Sequence, residues 1–162
     1  MNKIIGKILG KLMKEKKANN MGDLSLNFSK NEFACGCGCG KNEPIDPELI
    51  RLLQDLRTKL GKSIHILEGV RCKKYNKHIG GYIDSPHLQG KAADIYIKDM
   101  NIITLAKEAK KVKFPRIGLY PYNNFIHLDT IIPYPSESWI RDEKGIYHYF
   151  KTLEKAIEYL KE

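Results

Sequence analysis

The spacing of apolar residues predicts three amphipathic helices and at least four strands. Helical spacing, with an apolar residue every three or four positions, covers residues 47–60, 102–112 and 151–161. Strand-like alternation of apolar and polar residues covers residues 63–68, 92–97, 116–120 and 124–130. Shorter signals predict a turn at 29–34, a helical turn at 72–78 and a hairpin near 142–145.

Helices that precede and follow a run of strands predict an α+β fold. We expect a small, mostly antiparallel sheet flanked by helices. The chain has 162 residues, which suits a single domain, and its 42% of hydrophobic residues can fill one core, which argues against a disordered or collagen-like chain. No apolar run reaches the roughly eighteen residues needed to cross a bilayer, so we expect no membrane-spanning segment.

The first twenty residues differ from the rest of the chain in charge. They hold six lysines and one glutamate, which is 6 − 1 = +5 of the formal net charge of +9. Apolar residues at helical spacing lie between these lysines, so residues 1–20 predict a cationic amphipathic helix. Three interpretations are open: a helix that binds an anionic lipid surface or wall polymer, a helix that packs on the domain, or a frayed arm. We divide the chain into a basic arm and linker, residues 1–24, and a domain, residues 25–162.

Two other interpretations of the positive charge, a cleavable signal peptide and a nucleic-acid-binding protein, fit the sequence poorly. The arm does not resemble a cleavable signal peptide, because lysines interrupt its apolar stretch and no small-residue cleavage site follows, so we expect synthesis in the cytoplasm. Positive charge also suits nucleic acid, but the chain lacks an aromatic–basic repeat and any recognised nucleic-acid motif. We therefore expect no specific nucleic-acid partner.

Two histidines and an aspartate form the strongest chemical signal. His87 lies in a loop, Asp94 lies on the strand that follows it, and His127 lies on a later strand. Two imidazoles and one carboxylate are a ligand set of catalytic zinc sites, in which the fourth position stays open for water or substrate. The bound water then becomes a nucleophile near neutral pH.

The segments around these residues resemble a known family. Residues 85–94 (SPHLQGKAAD) and 125–129 (FIHLD) are similar to the two metal motifs of the zinc D-alanyl-D-alanine carboxypeptidase-like peptidases, and residues 69–71 (GVR) to their arginine motif. These peptidases belong to a wider group of peptidoglycan-cutting enzymes with lysostaphin-type and hedgehog-type domains. Residues 31–35 (NEFAC) and 45–49 (IDPEL) resemble the branch found in phage lysis and tail proteins and in bacterial envelope proteins.

The resemblance implies a hedgehog-like, D-Ala-D-Ala-peptidase-like fold and roles for the matched residues. His87, Asp94 and His127 would bind one Zn²⁺ per chain. Arg71 would bind the substrate carboxylate or stabilise the developing oxyanion, which suits a planar, permanently charged guanidinium. Ser85 and Tyr82, in and before the first metal motif, are expected to contact substrate.

The general base is where this sequence departs from the family. Many relatives carry an acidic residue three positions before the last histidine, and here that position is Asn124, which cannot accept a proton. Asp129 lies on the same strand face as His127 because side chains alternate along a strand. Two roles are open for Asp129: catalytic base, or support of a zinc-ligating histidine through a hydrogen bond.

The four cysteines leave three interpretations open. Cys35, Cys37 and Cys39 alternate with glycine, and Cys72 lies far along the chain. They form a structural zinc site, a disulfide or free thiols in a glycine turn, but the one-residue spacing departs from the usual two. We expect free thiols or a structural cross-link, and no catalytic role.

These observations predict zinc-dependent hydrolysis of peptide bonds in peptidoglycan stem peptides or cross-links. Carboxypeptidase and endopeptidase action are both open. The alternative is an inactive cell-wall-binding or virion structural module of the same fold. We expect a monomer that binds a peptidoglycan peptide and acts at the cell wall or in a phage particle.

Overall fold

The computed structural model describes residues 22–132 and 135–161. The helix expected within residues 1–20 lies outside them. The described part contains four α-helices, which are α1 (Pro47–Leu60), α2 (Lys73–His78), α3 (Ile102–Lys111) and α4 (Leu153–Tyr159). It also contains two 3₁₀ helices, Lys30–Phe33 and Pro86–Gln89.

Helix α1 begins and ends at residues whose side chains or backbone conformations cap it. Asp46 caps the helix, since its side chain accepts a hydrogen bond from the N–H of Glu48. Pro47 occupies the first turn, where no N–H is needed. Gly61 ends the helix in the left-handed conformation, with φ of 60°. The predicted bounds of this helix are confirmed.

Six strands form one sheet in the order β1-β2-β4-β3-β5-β6. Their bounds are β1 (His65–Glu68), β2 (Ala92–Tyr96), β3 (Arg116–Tyr120), β4 (Phe125–Asp129), β5 (Ser138–Arg141) and β6 (Tyr147–Phe150). All neighbouring strands are antiparallel except β3 and β5, which are parallel. The expectation of an α+β fold with a mostly antiparallel sheet is therefore confirmed.

Side chains alternate along each strand, so one face of the sheet is apolar and packs in the core while the other carries polar residues. On one face Ile95, Ile126 and Leu128 are buried in the hydrophobic core with leucines of α1. Helix α3 packs against β3 and β4 on the core side, and α4 packs against β5 and β6. The alternate residues of β2 and β4, such as Asp94 and His127, are consequently left to face away from the core.

Several elements are shorter than the sequence pattern suggests. The strand expected at 63–68 begins at His65, because pairing with β2 starts there. The helix expected at 151–161 begins after Thr152, whose hydroxyl accepts the N–H of Lys155. The expected hairpin at 142–145 joins β5 and β6. No helix of the described residues is both long and apolar enough to cross a membrane.

Candidate metal centre

One row of cross-strand neighbours carries two of the three predicted metal ligands. Asp94 of β2 pairs with His127 of β4, and His127 pairs with Gly118 of β3. The complete row, from the first strand of the sheet to the last, is Glu68, Asp94, His127, Gly118, Trp139 and Tyr149. The sheet register therefore brings Asp94 and His127 side by side, although they are far apart in sequence.

The third predicted ligand, His87, reaches this row from the 3₁₀ helix Pro86–Gln89. That helix ends at Gly90, which has φ of 66°, and a Cβ atom there would lie 1.7 Å from the carbonyl oxygen of Pro44. Only glycine fits this position. The backbone carbonyl of His87 also accepts the N–H of Arg71 at 2.9 Å, which fixes the loop against the residues that follow β1.

The three predicted ligands converge on one point. His87 Nε2 lies 3.2 Å from His127 Nδ1 and 3.4 Å from Asp94 Oδ1, and Asp94 Oδ1 lies 2.8 Å from His127 Nδ1. All three residues are buried. In a tetrahedral zinc site with bonds of about 2.0–2.1 Å, neighbouring ligand atoms are about 3.3 Å apart. The donor set therefore fits Zn²⁺ in both chemistry and spacing.

The second nitrogen of each histidine already has a hydrogen-bond partner. His87 Nδ1 lies 2.6 Å from the carbonyl oxygen of Gly69, and His127 Nε2 lies 3.0 Å from Asp129 Oδ2. Each ring can donate its outer N–H to that oxygen and turn its other nitrogen towards the shared point. This is the usual arrangement of metal-binding histidines, in which the outer partner fixes both tautomer and ring orientation.

The protonation states of the three residues differ. Burial lowers the pKa of His87, so its imidazole is neutral at neutral pH. Burial also opposes the charged form of His127, but the hydrogen bonds to Asp129 and Asp94 outweigh it and raise the pKa to about 9. Burial alone would raise the pKa of Asp94, yet the two histidines hold it below its usual value. The carboxylate is therefore ionised and able to bind a cation.

Arg71, predicted to bind substrate, contacts the cluster formed by His87, Asp94 and His127. Its Nη2 donates to Asp94 Oδ2 at 3.2 Å, and its Nε lies 3.7 Å from Glu68 Oε2. Asp94 thus offers one oxygen to the convergence point and the other to Arg71. The guanidinium also lines the cavity above the cluster, so it is held by carboxylates on one side and reaches substrate space on the other.

A comparison with protein families decides the relationship. The family model described as Peptidase M15 matches residues 26–129. The chain belongs to the peptidase M15 family. This is the zinc D-alanyl-D-alanine carboxypeptidase-like family, so the resemblance seen in the metal and arginine motifs is confirmed.

Curated M15 relatives are similar over part of their length. Peptidoglycan L,D-endopeptidase MepK of Escherichia coli (strain K12) is 30% identical over 107 residues, which cover 62% of this chain and 59% of the relative. Probable peptidoglycan L,D-endopeptidase MepK of Haemophilus influenzae is 31% identical over 94 residues, which cover 53% and 50%. The chain therefore spans between half and three fifths of the length of these relatives.

A cavity of about 440 Å³ opens above the cluster of this M15 domain. Ser85, Tyr82 and Arg71, all predicted to bind substrate, line it, as does Asp84. Ser85 is buried, whereas Tyr82 is exposed and its hydroxyl lies 3.2 Å from that of Tyr149. The buried Asn76 fixes this rim, because its amide donates to the carbonyl of Tyr82 at 2.7 Å.

Other predicted residues have different positions. Trp139 and Tyr147 also line the cavity, while Tyr134 lies outside the described residues. His78 ends α2 and is not among the cavity-lining residues. Asn124 is exposed in the turn between β3 and β4, with φ of 54°.

Arg116, Tyr120 and Tyr149 line the cavity although the sequence did not predict them as site residues, and Arg116 lies deepest in the contacts of the site. It is buried, its Nη1 lies 3.2 Å from Asp129 Oδ2, and its guanidinium lies 5.0 Å from the ring centre of Trp139. Asp129 in turn accepts the N–H of Ile131 at 3.0 Å. The available signal was the position of Arg116 two residues before Gly118 in the sequence pattern of β3, which places the Arg116 side chain on the strand face that looks towards the site.

Proposed function

We propose that this chain is a zinc-dependent peptidase that hydrolyses peptide bonds in peptidoglycan stem peptides or cross-links. The observation that carries the proposal is the convergence of His87 Nε2, Asp94 Oδ1 and His127 Nδ1, each held by an outer partner. Family membership and the similarity to the L,D-endopeptidases support the substrate class. We take endopeptidase cleavage as the form to be tested first.

Three residues of the cluster would bind the metal, and their hydrogen-bond partners would orient them. Bound zinc supplies a Lewis acid that polarises a carbonyl and activates water. Asp94 supplies the negative charge, and Arg71 keeps the Asp94 carboxylate in place through its second oxygen. The carbonyl of Gly69 orients His87, and Asp129 orients His127.

The cavity above the cluster is suited to a peptide that carries carboxylates. Arg71 is the cation beside the metal position, and its fork can bind a substrate carboxylate or a developing oxyanion. The hydroxyl of Tyr120 stays protonated because burial raises its pKa, so it can donate a hydrogen bond to substrate. Tyr82 and Tyr149 form a rim on which a peptide can lie.

The contacts of Asp129 favour a supporting role over that of general base. Its carboxylate is fully buried and already accepts hydrogen bonds from His127, Arg116 and the backbone of Ile131. We therefore assign it as a positioning residue. Asp84 is the remaining carboxylate lining the cavity in the described part of the chain, and it is exposed, so we propose Asp84 as the proton acceptor.

The experiment that tests the function is digestion of purified sacculi by the purified full chain, with fragments identified by mass spectrometry. New fragments cut between the L- and D-residues of the stem peptide are expected. His87→Ala should produce none, whereas His65→Ala, which changes an exposed histidine that stacks on Tyr96 and is not among the cavity-lining residues, should produce the same fragments as wild type.

The second candidate function is an inactive wall-binding or virion structural module, and it is favoured by Asn124, which cannot accept a proton. If the folded, zinc-loaded chain binds sacculi but releases no fragment, the module is a wall-binding or virion structural protein and the peptidase proposal fails. Binding by residues 1–20 to anionic wall polymer or lipid is a separate proposal. It is tested by removing those residues and measuring co-sedimentation with sacculi or anionic vesicles.

A further inference from the structure

All four cysteines of the chain meet at one place, some distance in sequence from the zinc ligands proposed above. We name this group the thiol cluster; its members are Cys35, Cys37, Cys39 and Cys72. All four are free, and their sulfur atoms all lie within 4.8 Å of one another. We propose that the thiol cluster binds a structural zinc ion, separate from the ion held by the histidines.

The sulfur spacing matches a tetrahedral zinc site. Cys35 Sγ lies 3.4 Å from Cys37 Sγ, and Cys37 Sγ lies 3.8 Å from Cys72 Sγ. With Zn–S bonds of about 2.3 Å, neighbouring sulfurs of a tetrahedron are about 3.8 Å apart. Four sulfurs also complete the ligand set of a closed, structural site, which needs no water or substrate in the fourth position.

Backbone N–H groups point at the sulfurs. The N–H of Cys72 donates to Cys35 Sγ at 3.3 Å, and the N–H of Tyr75 donates to Cys72 Sγ at 3.3 Å. Such donors stabilise the thiolate form that a metal requires, and they orient the ligands as outer partners do in other metal sites. Two of the four sulfurs therefore have an environment prepared for negative charge.

Glycines make the one-residue spacing workable. Gly38 and Gly40 both have φ of 75°, the left-handed conformation that glycine adopts without strain. The chain turns at residues 35–38, where the N–H of Gly38 donates to the carbonyl of Cys35 at 3.1 Å. The N–H of Cys35 donates to the carbonyl of Lys41 at 2.7 Å and closes the loop. In an extended segment, alternate cysteines would lie in a line along one face. This loop instead gathers them around Cys72.

Four thiolates and one Zn²⁺ would carry a net charge of −2, and three lysines are sequence neighbours of the cysteines. Lys41 closes the loop, and Lys73 and Lys74 directly follow Cys72; all three are exposed. A disulfide would account for only two of the four sulfurs and would leave the convergence of the others unexplained. Free thiols would leave Cys37 and Cys39 exposed to solvent.

The zinc ion in the thiol cluster would restrain the backbone of Arg71, the residue proposed to bind substrate. Cys72 directly follows Arg71, and Cys35 lies in the opening segment that packs beneath β1 through Phe33. Cross-linking these two segments holds the backbone on which Arg71 is placed. The same bond network closes a small loop-rich region that has little apolar core of its own.

Metal analysis of the full chain, purified under reducing conditions without added zinc, tests the proposal. We expect two zinc ions per chain in wild type and one in His87→Ala. We also expect one in a Cys37→Ser/Cys39→Ser double variant and two in the control His65→Ala. An H87A protein without zinc overturns the proposal. A double variant without zinc, together with one ion in H87A, leaves the thiol site intact and instead contradicts the zinc site of the proposed function.

Two spectroscopic and chemical measurements do not depend on the variants folding. Cobalt substitution should give thiolate-to-cobalt charge-transfer absorption, which can arise only from the thiol cluster because the chain has four cysteines in total. Iodoacetamide should leave native wild-type protein unmodified until a strong chelator is added. Immediate alkylation of Cys37 and Cys39, a disulfide found by mass spectrometry, or iron in place of zinc would each overturn the assignment.

Discussion

The substitution Asp129→Asn separates the two roles that the sequence leaves open for this residue. Asp129 Oδ2 lies 3.0 Å from His127 Nε2, and the carboxylate also pairs with Arg116 in a fully buried position. An asparagine keeps the shape but has one acceptor oxygen and one NH₂ group. It cannot accept from the imidazole, the guanidinium and the Ile131 N–H as the carboxylate does.

The magnitude follows from these contacts. Losing the outer partner of a metal-binding histidine typically lowers metal affinity about 10- to 100-fold, or about 1.4–2.7 kcal/mol. The substitution also removes the carboxylate that pairs with the buried Arg116 guanidinium. Breaking a buried ion pair costs about 3 kcal/mol or more of folding free energy, which for a domain of this size lowers the thermal midpoint by roughly 6–12 °C. We therefore expect weaker zinc binding, a lower melting temperature, and turnover that largely recovers when zinc is saturating.

A competition titration against a chromophoric chelator measures the zinc affinity, and sacculus digestion with added zinc measures turnover. Asp142→Asn is the matched control, because Asp142 Oδ2 also lies 3.0 Å from a histidine, His148 Nε2, outside the cavity-lining residues. It should leave both quantities unchanged. Wild-type zinc affinity combined with a hundredfold loss of turnover in D129N would refute the positioning role and identify Asp129 as the base.

Four further outcomes are expected. Arg71→Lys, which loses the fork that holds Asp94 and substrate, should lower kcat/KM about ten- to a hundredfold in the digestion assay while the protein stays folded. Gly118→Ala should cost about 1–3 kcal/mol in urea unfolding, because its Cβ would lie 2.4 Å from the Trp139 ring. Zinc affinity at the histidine site, measured by the chelator titration, should rise about tenfold per pH unit up to about pH 9 and then level off, since the raised pKa of His127 means that zinc must displace a proton below that pH. Removing residues 1–20 should leave the thermal midpoint nearly unchanged; a truncated chain that unfolds would show that the arm packs on the domain.

The sequence predicted the parts of the site that depend on local pattern. Strand alternation placed His127 and Asp129 on one face, and the structure brings both to the same network. His87 and Asp94, which lie on other elements, were proposed from their residue types and from the motif resemblance together. Arg71 follows from the same motif and lines the cavity as expected.

The rest depends on tertiary contacts that no local pattern encodes. Which nitrogen of His87 faces the cluster depends on the carbonyl of Gly69, and that strand end approaches Phe33 so closely that a Cβ at Gly69 would lie 2.6 Å from its Cα. The parallel pairing of β3 with β5 needs the chain to leave the sheet and return after β4. The gathering of Cys72 with the earlier cysteines likewise joins segments more than thirty residues apart.

Four consecutive residues after β1, from Gly69 to Cys72, contact both groups of metal ligands proposed for this domain. The carbonyl of Gly69 orients His87, Val70 is buried and donates its N–H to the carbonyl of Phe33, and Arg71 holds Asp94 while it lines the cavity. Cys72 then enters the thiol cluster and caps α2. A shift of this segment would therefore move a metal ligand's partner and the substrate cation together. The structural zinc ion proposed at its end would restrain both, so losing that ion should impair catalysis although none of the four cysteines lines the cavity.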